Sequence, residues 1–153
     1  MKMKVAGLLA LLSLGLLKGC MIAAKPNLYP VQGPVAAMAP PLVFSSKITG
    51  FNAGKISLTL ANGELFQGNW ANITASSINA KTPGSPASFP PQPNLSFAWD
   101  AIYGQGDFVA RTLGKTIGQA ILTGNHGTVL QVEFHYPHGV AVDNKGNIFK
   151  MTW

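Results

Sequence analysis

Lys55-Ile56-Ser57-Leu58-Thr59-Leu60-Ala61-Asn62-Gly63-Glu64-Leu65-Phe66-Gln67-Gly68-Asn69-Trp70 is the stretch that decides the fold. Ile56, Leu58 and Leu60 alternate with Ser57 and Thr59, the period-two pattern of a strand with one buried face. Asn62-Gly63 follows at once. This dipeptide favours positive backbone angles and predicts a tight hairpin turn, with residues 65–70 returning as the partner strand. The same grammar recurs downstream. Residues 120–123 lead through Gly124-Asn125-His126-Gly127 to a return over 128–134, and Val140-Ala141-Val142 leads through 143–147 to a return over 148–153. Hairpins of this kind predict an all-β fold, a small antiparallel β-barrel or β-sandwich. The segments share turn chemistry more than side chains, so they do not constitute an internal repeat.

Between the first hairpin and the second lies 82–94, with Pro83, Pro86, Pro90, Pro91 and Pro93, read as an exposed proline-rich loop joining two parts of the sheet. Residues 95–103 are apolar and aromatic, and periodicity leaves open a buried strand or a short helix. No long capped amphipathic pattern occurs, so helix content should be low.

Working towards the N-terminus, the β domain is expected over 43–153. Residues 20–42 carry Pro26, Pro30, Pro34, Pro40 and Pro41, a composition that favours extended polyproline II, and are read as a tether, part of which, with Leu28, Tyr29 and Val31, is apolar enough to lie along the domain. Lys2 and Lys4 precede an uncharged stretch over 5–17, which is of signal-peptide length and shorter than the roughly 20 residues a membrane-spanning helix needs. The stretch ends in Leu17-Lys18-Gly19-Cys20. Gly19 supplies the small residue before the cysteine and Leu17 the branched apolar residue three before it, so 1–19 is read as a lipoprotein signal peptide and Cys20 as the site of lipidation; Lys18 departs from the pattern. The alternative is cleavage after Ala24, with Ile22 and Ala24 recognised. Cys20 is the only cysteine, so no intramolecular disulfide can form.

Without residues 1–19 the 153-residue chain retains 134, the size of one domain. Lys2, Lys4 and Lys18 leave with the leader, and eight basic residues then face five acidic ones, a net charge of about +3. The remaining cations are scattered singly, without the cluster or stripe that nucleic-acid binding requires.

The densest polar constellation is Glu133, His135 and His138. Glu133 and His135 share one face of a strand, and a turn at Pro137 can bring His138 round, so the set is a candidate transition-metal site. Other features carry less chemistry. His126 is explained by its turn. Asp100 and Asp107 are an unremarkable carboxylate pair, Gly104-Gln105-Gly106 lacks the third glycine of a phosphate-binding loop, and no Gly-x-Ser-x-Gly elbow occurs. Trp70, Trp99 and Trp153 are read as packing residues, with a sugar- or peptide-binding groove as the alternative.

Leu17-Lys18-Gly19-Cys20, the proline-rich tether and the 63–70 hairpin return together resemble small bacterial lipoproteins. The resemblance implies a cell-envelope address through acylated Cys20, in the outer membrane where the host has two membranes, since Met21 rather than Asp follows the cysteine. It carries no activity with it. The expected role is therefore non-enzymatic binding or scaffolding, with an envelope protein or polysaccharide as partner, no nucleic acid and no cofactor. Two alternatives accompany it: an envelope metal protein or enzyme using Glu133, His135 and His138, and a small integral outer-membrane β-barrel, which the alternating Phe149, Met151 and Trp153 resemble in its last strand.

Overall fold

In a computed structural model the described residues are 23–38, 42–74, 95–105 and 116–153; the leader, Cys20 and the 82–94 loop lie outside them. Among the described residues the elements run β1 (Ala23–Ala24), β2 (Asn27–Gln32), β3 (Phe44–Thr49), β4 (Ala53–Thr59), β5 (Leu65–Thr74), α1 (Leu95–Tyr103), β6 (Thr116–Gly124), β7 (Val129–His135), β8 (His138–Asp143) and β9 (Ile148–Thr152). From β3 onward each strand pairs antiparallel with the strand before it, and β9 returns to pair with β2. Eight strands thus close into an up-and-down barrel, and β1 adds a ninth beside β3. Closure decides for barrel over sandwich within the all-β class.

The three hairpins expected from sequence are present, but their turns differ from the two-residue form that Asn62-Gly63 suggests. Gly63, Gly127 and Gly146 have φ of 79°, 85° and 85°, and among the described residues none other than glycine has positive φ. In each loop that glycine's N–H donates to the carbonyl three residues back, and the residue after it closes the ladder: Leu60, Gly124 and Asp143 donate to Glu64, Thr128 and Asn147. This is a three-residue loop with a left-handed glycine, so only the glycine, and not the asparagine, must leave the usual backbone region.

The tether expected over 20–42 requires correction, because β2 lies within it and forms part of the barrel wall. Its Leu28 is fully buried and faces Phe44 in β3 and Met151 in β9. Proline is tolerated here for identifiable reasons. Pro26 stands at the break between β1 and β2, where its carbonyl still accepts the Ser46 N–H at 2.9 Å and the Ser46 hydroxyl at 3.1 Å. Pro30 stands where the β2–β9 register shifts, at an irregularity that does not need its missing donor.

Side chains alternate around the wall. Phe44, Ile56, Phe66, Trp70, Leu130 and Phe149 point inward with ten other buried apolar residues and form the interior core. The segment left open between strand and helix is helical. Leu95, Ala98, Trp99 and Ile102 recur at i, i+3, i+4 and i+7, and that stripe packs on the outside of the barrel over Val140, Val142 and Ile148. The helix stops where Gly104, at φ 105°, donates its N–H to the Asp100 carbonyl at 2.9 Å. β8 is apolar throughout Val140-Ala141-Val142 because Ala141 faces the interior while Val140 and Val142 face α1.

Candidate functional site

The expected Glu133, His135 and His138 set lies on the outer wall. Glu133 and His135 share that face of β7, and His135 stands directly opposite His138 across the β7–β8 pair. The carboxylate, however, is otherwise occupied. Trp99 Nε1 donates to Glu133 Oε2 at 3.1 Å and Gln119 Nε2 donates to Oε1 at 2.9 Å, beneath α1, where Glu133 is 2 % exposed. His138 packs edge-on against Tyr103 at 5.2 Å, and His135 Nδ1 lies 3.3 Å from the Thr116 carbonyl. Among the described residues no three His, Cys, Asp or Glu side chains gather as metal ligands. Glu133 docks the helix: its carboxylate receives one donor from α1 and another from β6.

Burial pushes the Glu133 carboxyl above its ordinary range, and the bonds from Trp99 and Gln119 only partly counter it. A raised carboxyl pKa means that the native state binds the proton more tightly than the unfolded chain. The associated stability is complete below the ordinary value of 4.5 and is lost as pH rises through the raised value. Glu133→Gln stays neutral, and Gln119 can turn its amide to match it. We expect this variant to be more stable than the wild type at pH 8, with a flatter pH dependence of melting above 4.5. Parallel melting curves for the two proteins would remove Glu133 as the source.

The remaining sequence candidates separate clearly. His126 is an exposed turn residue, and Gly104 ends a helix rather than opening one onto a phosphate. Asp100 is on α1, while Asp107 lies outside the described residues. All three tryptophans are packing residues. Trp70 lies inside the barrel, its Nε1 donating to the Thr49 carbonyl at 2.9 Å and its ring 5.1 Å from Phe134. Trp153 covers the same end, against Phe134 and Tyr136, and Trp99 packs from α1 onto the barrel wall.

Sequence reasoning missed the polar closure at the opposite end. Glu64, Thr128, Asp143 and Asn147 are buried there, three of them directly after the turn glycines. Thr128 donates to Glu64 through its N–H at 3.0 Å and its hydroxyl at 2.7 Å. Asp143 receives the Asn147 side-chain amide at 2.7 Å, and Asn147 Oδ1 in turn accepts the Val35 N–H at 2.8 Å. These groups serve one another and close the barrel.

The outer wall of β3, β4 and β5 has a different character. Lys47, Thr49, Lys55, Ser57, Gln67 and Asn69 line a shallow groove of about 530 Å³, and Lys25 and Ser45 line a second depression beside it. Lys47 stands opposite Ser57 and Lys55 opposite Asn69, so each ammonium has a neutral polar neighbour across the sheet. Among the described residues no carboxylate lines either depression. The carboxylates of Glu64, Glu133 and Asp143 are buried elsewhere. Among the described residues the wall therefore presents ammonium and neutral hydrogen-bonding groups, which suit an anionic, hydrated partner.

No family model, curated protein or solved structure matches this chain.

Proposed function

We propose that this chain is a cell-envelope lipoprotein, held on the membrane through acylated Cys20, whose barrel acts by non-enzymatic binding or scaffolding through its outer wall. The observation that supports the binding part is the polar, lysine-bearing groove on the outer wall of β3, β4 and β5, beside an interior that the described residues line with apolar side chains. The outer membrane is the proposed address where the host has two, and an envelope protein or polysaccharide remains the class of partner for a scaffold.

The position of β1 supports cleavage before Cys20 over cleavage after Ala24. Ala23 and Ala24 pair with Thr49 and Ile48, and a chain beginning at Lys25 would lose that strand. The integral-barrel alternative fits the side-chain alternation poorly. A membrane barrel turns apolar residues towards lipid, whereas here Phe66 and Trp70 face inward and Lys47, Lys55 and Gln67 face outward.

Intact-mass measurement of protein purified from host membranes tests the anchor. The expected mass is that of residues 20–153 plus acyl chains, with the acyl mass absent from Cys20→Ala. An unmodified chain starting at Lys25 would overturn it.

A further inference from the structure

We infer that the lysine-bearing wall of β3 and β4, with Phe51 at its rim, docks onto an anionic phospholipid surface. Its orientation rests on the anchor proposed at Cys20; its chemistry rests on the wall itself.

The first support is reach. Met21 and Ile22 alone separate Cys20 from Ala23, and Ala23 pairs with Thr49 in β3. Three residues span at most about 11 Å, so an acylated Cys20 holds this corner of the barrel close to the bilayer. Anionic headgroups act over a Debye length of roughly 8 Å at physiological salt, so cations at this corner fall within their field.

The second support is the corner's composition. Lys47 lies two residues before Thr49 on the outer face, and the Thr49 hydroxyl donates to the Lys55 carbonyl at 3.4 Å, placing β4's lysine beside the same strand end. Lys25 borders the adjoining depression. The turn after Thr49 then carries Phe51, 75 % exposed, at the end of the barrel where β1 enters. An exposed aromatic a few residues from Lys47 and Lys55 suits the boundary between headgroups and acyl chains, the ring entering the boundary while the ammonium groups stay with phosphate. A hydrated polysaccharide would account for the lysines and polar groups but gives Phe51 nothing apolar to enter. The membrane surface is therefore the partner that uses both.

Vesicle flotation at low salt tests this. Every described element lies beyond residue 22, so residues 20–153 carrying Cys20→Ala retain the barrel without an acyl chain. Vesicles of phosphatidylglycerol and phosphatidylcholine are compared with phosphatidylcholine alone. Lys47→Gln/Lys55→Gln is compared with Lys145→Gln/Lys150→Gln, which removes equal charge elsewhere, and matching melting curves verify that each variant is folded. The expected result is binding to anionic vesicles only, weakened about thirtyfold by the first pair and much less by the second, weakened also by Phe51→Ser. Absence of binding to anionic vesicles, equal binding to neutral ones, or equal loss from both lysine pairs overturns the inference. The two readings fail separately. Acylated protein whose barrel ignores anionic vesicles removes the docking wall and leaves the anchor, whereas vesicle binding by a chain found unacylated in its host removes the anchor and leaves the wall.

Discussion

Trp99→Ala is expected to cost about 4 kcal/mol and to release α1 from the barrel wall. Trp99 is the largest of the fully buried side chains, 1 % exposed, and packs with Ala98 over Val140, Val142 and Ile148. Truncation removes most of the apolar surface joining the helix to the barrel. It also takes the indole donor from Glu133 Oε2, so a buried carboxyl whose pKa is already raised loses one of its two partners. Both effects act in the same direction. Trp99→Phe keeps one ring but loses the donor together with part of the indole's volume, so its smaller cost, about 2 kcal/mol, sets an upper bound on the hydrogen bond's share. Urea unfolding gives the magnitudes, and hydrogen exchange gives the location: α1 amides should lose protection before those of β6 and β7. A cost for Trp99→Ala below about 1 kcal/mol, or exchange that rises evenly over the barrel, would mean that α1 is not held by this residue.

The same cluster shows where reading the sequence succeeds and where it stops. The hairpins were legible because turn chemistry is local: Gly63, Gly127 and Gly146 mark their loops, and the apolar alternation on either side marks the strands. The turn type was less so, since Asn62-Gly63 suits a two-residue loop equally well until Glu64 is seen to close the ladder with Leu60. Barrel closure was not legible at all. It depends on Leu28 meeting Met151, a pairing across almost the whole chain, and the prolines flanking Leu28 point to a tether unless one knows that they fall at a strand break and a register shift. Glu133 has the same difficulty in chemical form. A carboxylate near two histidines looks like a ligand set, and only the fold reveals the indole, 34 residues earlier, that covers it. For α1 the signal was present: Leu95, Ala98, Trp99 and Ile102 keep helical spacing ahead of Gly104, although nine residues with seven apolar ones also suit a buried strand.

At the closed end of the barrel, Glu64→Ala is expected to cost about 3 kcal/mol, because it leaves both the Thr128 N–H and the Thr128 hydroxyl buried without their acceptor. Burial by itself raises the Glu64 pKa, but the Thr128 hydroxyl and N–H, the Lys145 ammonium at 3.8 Å and the Asn62 side chain together outweigh it and leave the carboxyl below its ordinary range. Thr128 supplies most of this. Lys145 is 54 % exposed, so water screens the ion pair and its removal should matter little. A lowered carboxyl pKa contributes stability that is complete above the ordinary value of 4.5 and disappears as pH falls through the lowered value. The gap between wild type and Glu64→Ala should therefore be widest near neutrality and narrow in acid. Glu64→Gln provides the control for shape. Its oxygen can still accept from the Thr128 N–H, and the Thr128 hydroxyl can turn to accept from its amide, so it should cost only about 1 kcal/mol while losing the same acid dependence. Gly124 constrains this site from the other side, since a Cβ there would collide with Glu64 Oε1, and Gly124→Ala must displace the carboxylate to fit. Denaturant unfolding from neutral pH into the acid range measures all four proteins. If Glu64→Ala tracks the wild type with a constant offset down to pH 3, the carboxylate does not titrate with folding, and the closure owes its stability to packing alone.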